Sequence, residues 1–298
     1  MREYCDGLLA SARSRMPVDR SNVKKPSYSG PIAEHEEVLR ANEKLLPELM
    51  NSPLVRDISK PTLLHAELHL RNIFVSETRP FNITAIIDWQ STAVEPAFIQ
   101  ANETPDFANR QVEDQDEDEE DPDAEAHDTS PPQIGDAEAR TKQDILLCNQ
   151  AFEVCMQGYA PIIAKARTTD QILLRPFIHC NVSWRDSAPA VLQELIELSV
   201  QWPDLGLHGA RPYDPTVEEL GRHQELYADF EIALSLRLGL MRSLRTDSDG
   251  WVASEDWDVV KSAHDEMFRE WLRTAAEGGE MDEVEARELW PFDHLWRS

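Results

Sequence analysis

The segment between Thr62 and Gln90 constrains the fold of this chain more than any other, because its short apolar stretches flank one polar loop. It reads TLLHAELHLRNIFVSETRPFNITAIIDWQ. Val, Ile, Phe and Thr dominate the apolar stretches, which favours half-buried strands over helices. The polar side chains gather in the loop and at the end of the last stretch, at His65, Glu67, His69, Arg71, Asn72 and Asp88. The segment predicts a small β core over residues 61–99 that presents carboxylate, amide and imidazole groups at one point.

The chain on both sides of this core has the periodicity of helices. Between Ile32 and Met50, apolar residues recur at helical spacing at Val38, Ala41 and Leu45. After residue 140, two apolar stripes predict two long helices, with Leu226, Phe230, Ala233, Leu234, Leu238 and Met241 in the first and Val260, Ala263, Met267 and Trp271 in the second. We expect both stripes to lie in the core. The pattern therefore predicts a mainly helical α+β fold.

Local signals before both stripes support these helices. Thr216 is followed three residues later by Glu219, the spacing of a capping box that begins a helix. Ser254, Glu255 and Asp256 precede the second stripe and are typical of a cap and an acidic first turn.

One segment carries too few large apolar residues to fold. About residues 103–140 are acidic, and 11 of the 16 residues from Glu113 to Asp128 are Asp or Glu. Such a segment cannot bury enough apolar surface to offset the entropy lost on ordering, so we predict a disordered insertion. The ligand order of an EF-hand is absent, which favours a solvated charge run over calcium binding. We divide the chain into an N-terminal helix and linker at 1–30 and a main domain at 31–298 that the insertion interrupts.

Composition excludes several classes of partner. The formal net charge of −27 argues against nucleic acid, phosphoinositides and anionic membranes as partners. The four cysteines form no Cys-x-x-Cys pair, so we expect reduced thiols and no zinc site built on them. No stretch approaches the ~20 apolar residues of a membrane span. At the N-terminus, Glu3 and Asp6 favour an amphipathic helix over a mitochondrial transit peptide. The residues alone therefore predict a soluble cytoplasmic protein.

The polar loop resembles the catalytic core of the aminoglycoside phosphotransferase and choline kinase-like family. That family has the pattern H-x-D-x-x-x-x-N followed by I-D-W/F-E/Q, and this chain has HAELHLRN and IIDWQ. Glu67 stands where the family has its catalytic Asp. The Trp89–Gln90 pair and the segments QWPDLGLHGARPYDP and DSDGWVASEDW resemble fungal members, some of them named for mitochondrial inheritance. The resemblance extends over most of residues 30–275 outside the insertion and makes a mitochondrial location an alternative.

The resemblance implies a role for each matched residue. Glu67 falls on the catalytic base and His65 on the histidine that braces the catalytic loop. Asn72 and Asp88 fall on the amide and the carboxylate that bind Mg²⁺ and, through it, ATP. The implied fold is a protein kinase-like C-terminal lobe with a small β-hairpin core, and the implied activity is ATP-dependent phosphoryl transfer to a small-molecule hydroxyl. Phosphoryl transfer needs these groups, namely one that orients or deprotonates the acceptor and oxygen ligands for Mg²⁺.

Two departures from the family pattern predict weak or absent activity. The extra methylene of Glu67 moves its carboxylate by roughly an ångström, and misplacement on that scale can cost ~100-fold in rate. The residues before His65 also contain no β-rich glycine segment, and Lys24 and Lys25 lie in a predicted loop and Lys44 in a predicted helix. We therefore expect the nucleotide-binding N-terminal lobe to be largely absent from this chain.

The loop also has features of sites other than a phosphotransfer site. His65, Glu67 and His69 alternate as H-x-E-x-H, so on a strand they would share one face and could bind zinc. Zinc is less favoured because the sequence continues into the kinase-like pattern. Arg71 is a candidate either to contact phosphate or to fix the loop against acidic neighbours. Two functions therefore stay open. The chain is a phosphotransferase, or it is a pseudoenzyme or truncated kinase-like lobe and binds a protein partner.

Overall fold

The computed structural model divides the chain into two compact units. It describes residues 1–16, 27–65, 67–90, 92–109, 134–183, 187–209, 211–246, 250–279 and 281–291. The first unit comprises Met1 and Pro53–Asp170, and the second comprises Arg2–Ser52 together with Gln171–Ser298. Helices dominate the described residues, and the strands there form two antiparallel pairs. The predicted mainly helical α+β class is confirmed.

The helices account for most of the described chain. They are α1 (Arg2–Ser14), α2 (Ile32–Asn51), α3 (Pro53–Asp57), α4 (Ile134–Tyr159), α5 (Pro161–Arg167), α6 (Arg175–His179), α7 (Ala188–Gln201), α8 (Val217–Leu244), α9 (Trp257–Gly278) and α10 (Glu283–Leu289). Short 3-10 helices lie at Ser27–Ser29, Leu70–Asn72, Asp106–Ala108 and Gln171–Leu173. None of the helices in the described ranges combines the length and the apolar character that a membrane span requires.

The first unit contains both strand pairs, whose members are β1 (Pro61–Leu63), β2 (Ile73–Val75), β3 (Ile83–Ile86) and β4 (Val94–Pro96). β1 pairs with β4, and β2 pairs with β3 so that Ile73 lies opposite Ile86. The predicted half-burial of these strands is wrong for several side chains, since Phe74 and Ile83 are 49% and 64% exposed. A pair of such short strands cannot shield its own faces, because shielding needs a further strand or helix.

The predicted disordered insertion is wrong at both of its described ends. Asp106–Ala108 forms a 3-10 helix, and α4 begins at Ile134. The Asp106 carboxylate accepts a hydrogen bond from the Leu70 backbone N–H, and the Ala108 carbonyl accepts one from the Asn149 amide. Polar contacts, which composition does not reveal, therefore hold the first end in place. The remainder of the predicted insertion, residues 110–133, lies outside the described residues.

The core of the second unit lies between α2 and α7. The predicted helix from Ile32 is confirmed, and it buries Val38, Ala41, Leu45, Leu46 and Leu49. It packs against α7, which buries Leu192, Leu195 and Leu198. Each such leucine contributes about 1.5–3 kcal/mol through removal of its side chain from water. The helix predicted at the N-terminus is also confirmed as α1, which packs on α2 with the Arg13 guanidinium 2.6 Å from the Glu43 carboxylate.

The long helices α8 and α9 agree with prediction in position but not fully in burial. The capping box of α8 is confirmed, with Thr216 and Glu219 bonded reciprocally. The predicted core stripe is wrong at Leu234 and Leu238, which are 41% and 43% exposed. Apolar residues of α8 occur on every side of the helix, so the sequence pattern does not indicate which face is buried. At the start of α9, the Asp256 side chain makes no capping hydrogen bond, contrary to prediction.

Candidate active site

The β2–β3 hairpin brings distant loop residues to one end of the sheet. The backbone N–H of Ile87 donates to the Asn72 carbonyl at 3.0 Å, directly beyond the pair formed by Ile73 and Ile86. The Asn72 N–H in turn donates to the His69 carbonyl at 3.0 Å and closes the short 3-10 helix before β2. This register places Asn72 at the same end of the hairpin as Asp88, the residue that follows Ile87.

The His65 ring ties the start of the loop to the strand that precedes Asp88. Its Nδ1 lies 3.2 Å from the Glu67 backbone N–H and accepts from it, while its Nε2 lies 2.8 Å from the Ile87 carbonyl oxygen. One neutral tautomer, with the hydrogen on Nε2, satisfies both contacts. The ring also meets Trp89 edge-on, with 4.6 Å between centroids. Both ring nitrogens are thus engaged by backbone, so the geometry fits a positioning residue and not a proton carrier.

Asn72 is buried, with a side chain whose orientation is fixed by one hydrogen bond. It is 4% exposed, and its Nδ2 donates to the Glu67 carbonyl at 2.8 Å. Because only the amide nitrogen can donate to a carbonyl, the Oδ1 atom is turned the other way. The one side-chain hydrogen bond that Asn72 makes with described residues is this bond through Nδ2. The amide oxygen, which is the atom that binds hard cations, is therefore left for another ligand.

Asp88 has a backbone conformation that is uncommon for residues other than glycine. Its φ is 66°, in the left-handed region. Aspartate tolerates this region better than most residues, at a cost of roughly 1–2 kcal/mol. Such conformations cluster at functional sites, where the surrounding structure maintains them. The Asp88 carboxylate is half-buried and makes no ion pair with any described residue, so it is open to a cation.

The Glu67 carboxylate is half-exposed and already has partners. Its Oε2 lies 2.8 Å from His69 Nε2 and 3.6 Å from Arg71 Nη2, and the side chain is 50% exposed. This contact supports the second interpretation of Arg71, in which its guanidinium fixes the loop against an acidic neighbour. Glu67 thus enters any proton transfer as a carboxylate held by two basic side chains.

Asp106 belongs to this site, although the sequence placed it in the insertion. Its Oδ1 accepts the Leu70 N–H at 3.0 Å, and its Oδ2 lies 3.5 Å from His69 Nδ1. His69 therefore has a carboxylate near each ring nitrogen, from Glu67 on one side and Asp106 on the other. Nothing in the acidic context of Asp106 distinguishes it from its neighbours, so the sequence offers no signal for this contact.

The zinc interpretation of H-x-E-x-H fails. Both His65 nitrogens face backbone groups, and His69 faces carboxylates, so the three side chains do not converge on one point. No group of three or more His, Cys, Asp or Glu able to hold a metal occurs in the parts of the chain that the structure describes. The four cysteines are free thiols, as predicted.

A small cavity lies beside the loop within the first unit. Its volume is about 170 Å³, and its lining includes His65, His69, Gln100, Phe152 and Met156. The polar residues of the lining are the two loop histidines, Gln100, Glu103 and Thr104, and the remainder is apolar. A cavity of this size admits a molecule of only a few non-hydrogen atoms.

The comparisons with known proteins point to the same residues. Residues 9–99 match a sequence model described as the phosphotransferase enzyme family. This range is less than a third of the chain but includes every predicted site residue, and it supports the resemblance to the aminoglycoside phosphotransferase and choline kinase-like family. No curated protein and no solved structure matches the chain. The wider resemblance over residues 30–275, to fungal members, and the mitochondrial location stay predictions.

Proposed function

We propose that this chain is a kinase-like phosphotransferase in which the loop and hairpin of residues 65–88 bind Mg²⁺–ATP and transfer a phosphoryl group to a small-molecule hydroxyl. One observation carries the proposal. The Asn72 amide is locked through Nδ2, so its Oδ1 and the unpaired Asp88 carboxylate are available at the same end of the hairpin. The family match over the same residues supports it.

The available ligands suit Mg²⁺ better than a transition metal. Mg²⁺ prefers amide and carboxylate oxygens, keeps several waters and takes further oxygens from substrate phosphates. Asn72 and Asp88 would supply the two protein ligands, and two such ligands suffice without a larger cluster of acidic or imidazole side chains. When bound, the ion would neutralise negative charge on the phosphates. The left-handed backbone at Asp88 holds the carboxylate where the hairpin ends.

Glu67 takes the base position in this proposal, with His65 and Asp106 as positioning residues. His65 fixes the loop through the Glu67 N–H, and Asp106 fixes it through the Leu70 N–H. Of the Glu67 carboxylate, Oε2 is engaged by His69 and Arg71, whereas Oε1 makes no hydrogen bond with described residues and can accept a hydroxyl proton. The 170 Å³ cavity next to His65 and His69 is a candidate site for part of the acceptor.

A second candidate function is a pseudoenzyme that binds a protein partner. The pairing of Glu67 with two basic side chains favours it, since the base position is occupied. In addition, the regular elements described before Pro61 are all helices. Lys44 lies in α2, Lys60 lies outside the strands, and Lys24 and Lys25 lie outside the described residues, so no strand lysine described there could hold a nucleotide. We therefore expect weak nucleotide affinity, in the millimolar range.

The proposal is tested first by nucleotide binding. Thermal unfolding of the wild type is measured with millimolar ATP, with and without Mg²⁺, beside Asp88→Ala and the exposed α4 control Asp144→Ala. We expect a Mg²⁺-dependent rise in Tm for the wild type and the control, and none for Asp88→Ala. Absence of any rise in the wild type would overturn the phosphotransferase proposal for this chain.

Turnover then separates the two candidate functions. Release of phosphate from Mg²⁺–ATP is compared between the wild type and Glu67→Asp, which moves the carboxylate back by one methylene. We expect a gain of up to ~100-fold if misplacement of the base limits the rate. If both proteins bind Mg²⁺–ATP and neither turns over, the pseudoenzyme is the function that remains.

A further inference from the structure

The second unit contains a cleft that shares no residue with the phosphotransfer loop of the first unit. Its volume is about 700 Å³. The first turns of α2 line it together with the 211–215 segment and the beginning of α8, and its charged groups include Glu34, Glu37, Arg40, Lys44 and Arg222. All of these residues belong to the same unit.

Glu34 is a buried carboxylate without a hydrogen-bonding partner. It is 1% exposed, and neither of its oxygens has a hydrogen bond with any described residue. It occupies the third position of α2, where a glutamate ordinarily accepts the backbone N–H of the N-cap residue. The N-cap residue here is Pro31, which has no N–H. The sequence therefore removes the donor that would have satisfied this carboxylate.

Gly30 provides the space that the carboxylate occupies. A Cβ at this position would lie 3.3 Å from Glu34 Oε2 and 2.6 Å from Pro189 Cδ. The φ of Gly30 is 81°, a conformation that other residues rarely adopt. The backbone before α2 is thus shaped around Glu34, although the carboxylate gains no hydrogen bond from it.

A second acceptor without a hydrogen bond lies close to Glu34. His223 is 3% exposed, and its Nδ1 lies 3.9 Å from Glu34 Oε1, beyond hydrogen-bonding distance. Its Nε2 lies 3.0 Å from Gln193 Oε1 and donates to it, because the Gln193 amide nitrogen donates to Glu197. In the neutral ring Nδ1 then carries a lone pair, and burial lowers the pKa of His223, which favours the neutral ring. Two unsatisfied acceptors therefore lie side by side and require a donor.

The opposite charge is found farther along the same helix. Arg40 and Lys44 line the cleft, one helical turn apart, and neither forms an ion pair with a described residue. By contrast, Arg222 is paired with Glu37 at 3.3 Å. Arg40 is the sixth residue after Glu34, which corresponds to about 9 Å along the helix axis. The cleft thus offers an unpaired anion at one end and unpaired cations at the other.

We propose that this cleft binds a small zwitterionic molecule, with its ammonium group on Glu34 and its carboxylate or phosphate group on Arg40 and Lys44. An ammonium group has three donors, so it can satisfy both unpartnered oxygens of the Glu34 carboxylate at once, which a single hydroxyl cannot do. Hydrogen bonds to an ionised partner are roughly twice as strong as neutral ones. The separation of the charges selects ligands with an extended chain between ammonium and anion.

Binding is coupled to proton release. Burial, followed by the charge of Glu37, raises the pKa of Glu34 from 4.5 to about 7, while Arg222 opposes the rise. At about pH 6 the free carboxyl is therefore mostly protonated, and an ammonium ligand has to displace that proton. The titratable and charged groups that face Glu34 are Glu37, Arg222, Tyr213 and the neutral His223. Affinity should rise with pH through this range, with nearly one proton released per ligand at the acidic end.

The test is calorimetric titration of the full chain with ω-aminobutanoate, ω-aminohexanoate and ω-aminooctanoate, with hexylamine and hexanoate as ligands that each lack one charge. We expect an optimum among the amino acids, weaker binding of hexylamine and none of hexanoate. Titrations in two buffers of different ionisation enthalpy measure the released proton. Failure of the wild type to bind any amino acid of the series at millimolar concentration would overturn the proposal.

Three variants assign the ends of the ligand. Glu34→Gln should weaken binding of the best amino acid at least ~10-fold and abolish proton release, because a charged hydrogen bond is lost. The matched control Glu36→Gln, an exposed glutamate on the same helix, should bind as the wild type does. Replacing Arg40 and Lys44 together by Ala should lower the affinity for aminohexanoate to that for hexylamine. Equal binding by Glu34→Gln and the wild type contradicts the site, and Tm measurements confirm that each variant is folded.

Discussion

Glu67 and Glu34 are both carboxylates placed beside a histidine, but the two units hold them in opposite ways. The Glu67 side chain is 50% exposed and lies 2.8 Å from His69 Nε2. Glu34 is 1% exposed, and His223 Nδ1 lies 3.9 Å from it, beyond hydrogen-bonding distance. The Glu67 carboxylate is half-exposed to water and paired with His69, and both contacts stabilise its charge. The other is desolvated and unpaired, which opposes its charged form.

The contrast separates two kinds of functional candidate. Glu67 is identified by a motif, and its neighbours can be named from the sequence. Glu34 is identified by the lack of a hydrogen-bond donor among the described residues around it. Its two unpartnered oxygens point to a ligand or to a bound proton. A site of the second kind reduces the stability of the protein, whereas a surface ion pair has little effect on it.

The same substitution at both glutamates gives the largest expected difference. The folded state retains the Glu34 proton up to about pH 7, whereas an unfolded glutamate loses it near its usual pKa of 4.5. The folded state therefore binds more protons between these values, and the free energy of unfolding falls as pH rises through that window. Glu34→Gln removes this loss and should stabilise the protein by up to about 3 kcal/mol above neutral pH.

The matched variant Glu67→Gln should change the free energy of unfolding by only about 0.5 kcal/mol or less, since exposed ion pairs contribute little. Urea unfolding at a series of pH values measures both variants against the wild type. Parallel pH profiles for Glu34→Gln and the wild type would show that Glu34 titrates normally and would remove the basis of the contrast.

A hydrogen-bond donor introduced at the N-cap of α2 should remove much of the difference between Glu34 and Glu67. Pro31→Ser restores the missing backbone N–H and adds a hydroxyl that can cap the helix, so the capping box with Glu34 can form. The pKa of Glu34 should then fall, and the protein should gain up to about 1 kcal/mol above neutral pH. Carboxyl titration by NMR follows the pKa directly. An unchanged pKa would mean that the missing donor is not the cause of the orphaned carboxylate.

The complete capping box at α8 provides the reverse test. Thr216 and Glu219 already satisfy each other's backbone groups there, as Pro31 and Glu34 cannot. Thr216→Ala should therefore lower the free energy of unfolding by about 1 kcal/mol. Thermal unfolding measures the loss, and Thr246→Ala, at the opposite end of α8, serves as a comparison because its backbone N–H bond to Met241 is retained. A neutral Thr216→Ala would show that α8 does not depend on its cap.

The smallest effect is expected at the partner of Glu67. Arg71→Ala removes an exposed guanidinium 3.6 Å from the carboxylate and should change the free energy of unfolding by about 0.5 kcal/mol or less. If Glu67 is a base restrained by Arg71, the rate of phosphate release from Mg²⁺–ATP should nevertheless differ between Arg71→Ala and the wild type. A substantial loss of stability instead would assign Arg71 to the structure of the loop.

The sequence predicted the parts of the site that depend on local pattern. Enrichment in Val, Ile, Phe and Thr located β2 and β3, and the hairpin follows from two such strands close in the chain. Asn72 and Asp88 lie at the same end of this hairpin, and His65 contacts the backbone that precedes Asp88. Their roles as ligands follow from resemblance and remain predictions.

Contacts between distant residues were not predictable in this way. Asp106 sits in an acidic segment where each carboxylate resembles the next, and only the folded chain shows that it accepts the Leu70 N–H. The exposure of Leu234 and Leu238 also depends on which face of α8 meets its neighbours. Glu34 did leave a signal, because proline three residues before a glutamate at a helix start predicts an incomplete capping box.

The most direct test of the phosphotransfer site uses Mn²⁺ in place of Mg²⁺, because its unpaired electrons broaden NMR signals of nearby nuclei. The labelled wild type is titrated with Mn²⁺ in the presence of excess ATP, with Asp88→Ala as control. We expect loss of the Asn72 side-chain signal and of the Asp88 amide signal in the wild type at a Mn²⁺ concentration that leaves the Asn72 signal of Asp88→Ala intact. Persistence of the Asn72 and Asp88 signals at millimolar Mn²⁺–ATP, or equal loss in Asp88→Ala, would contradict the proposed phosphotransfer site.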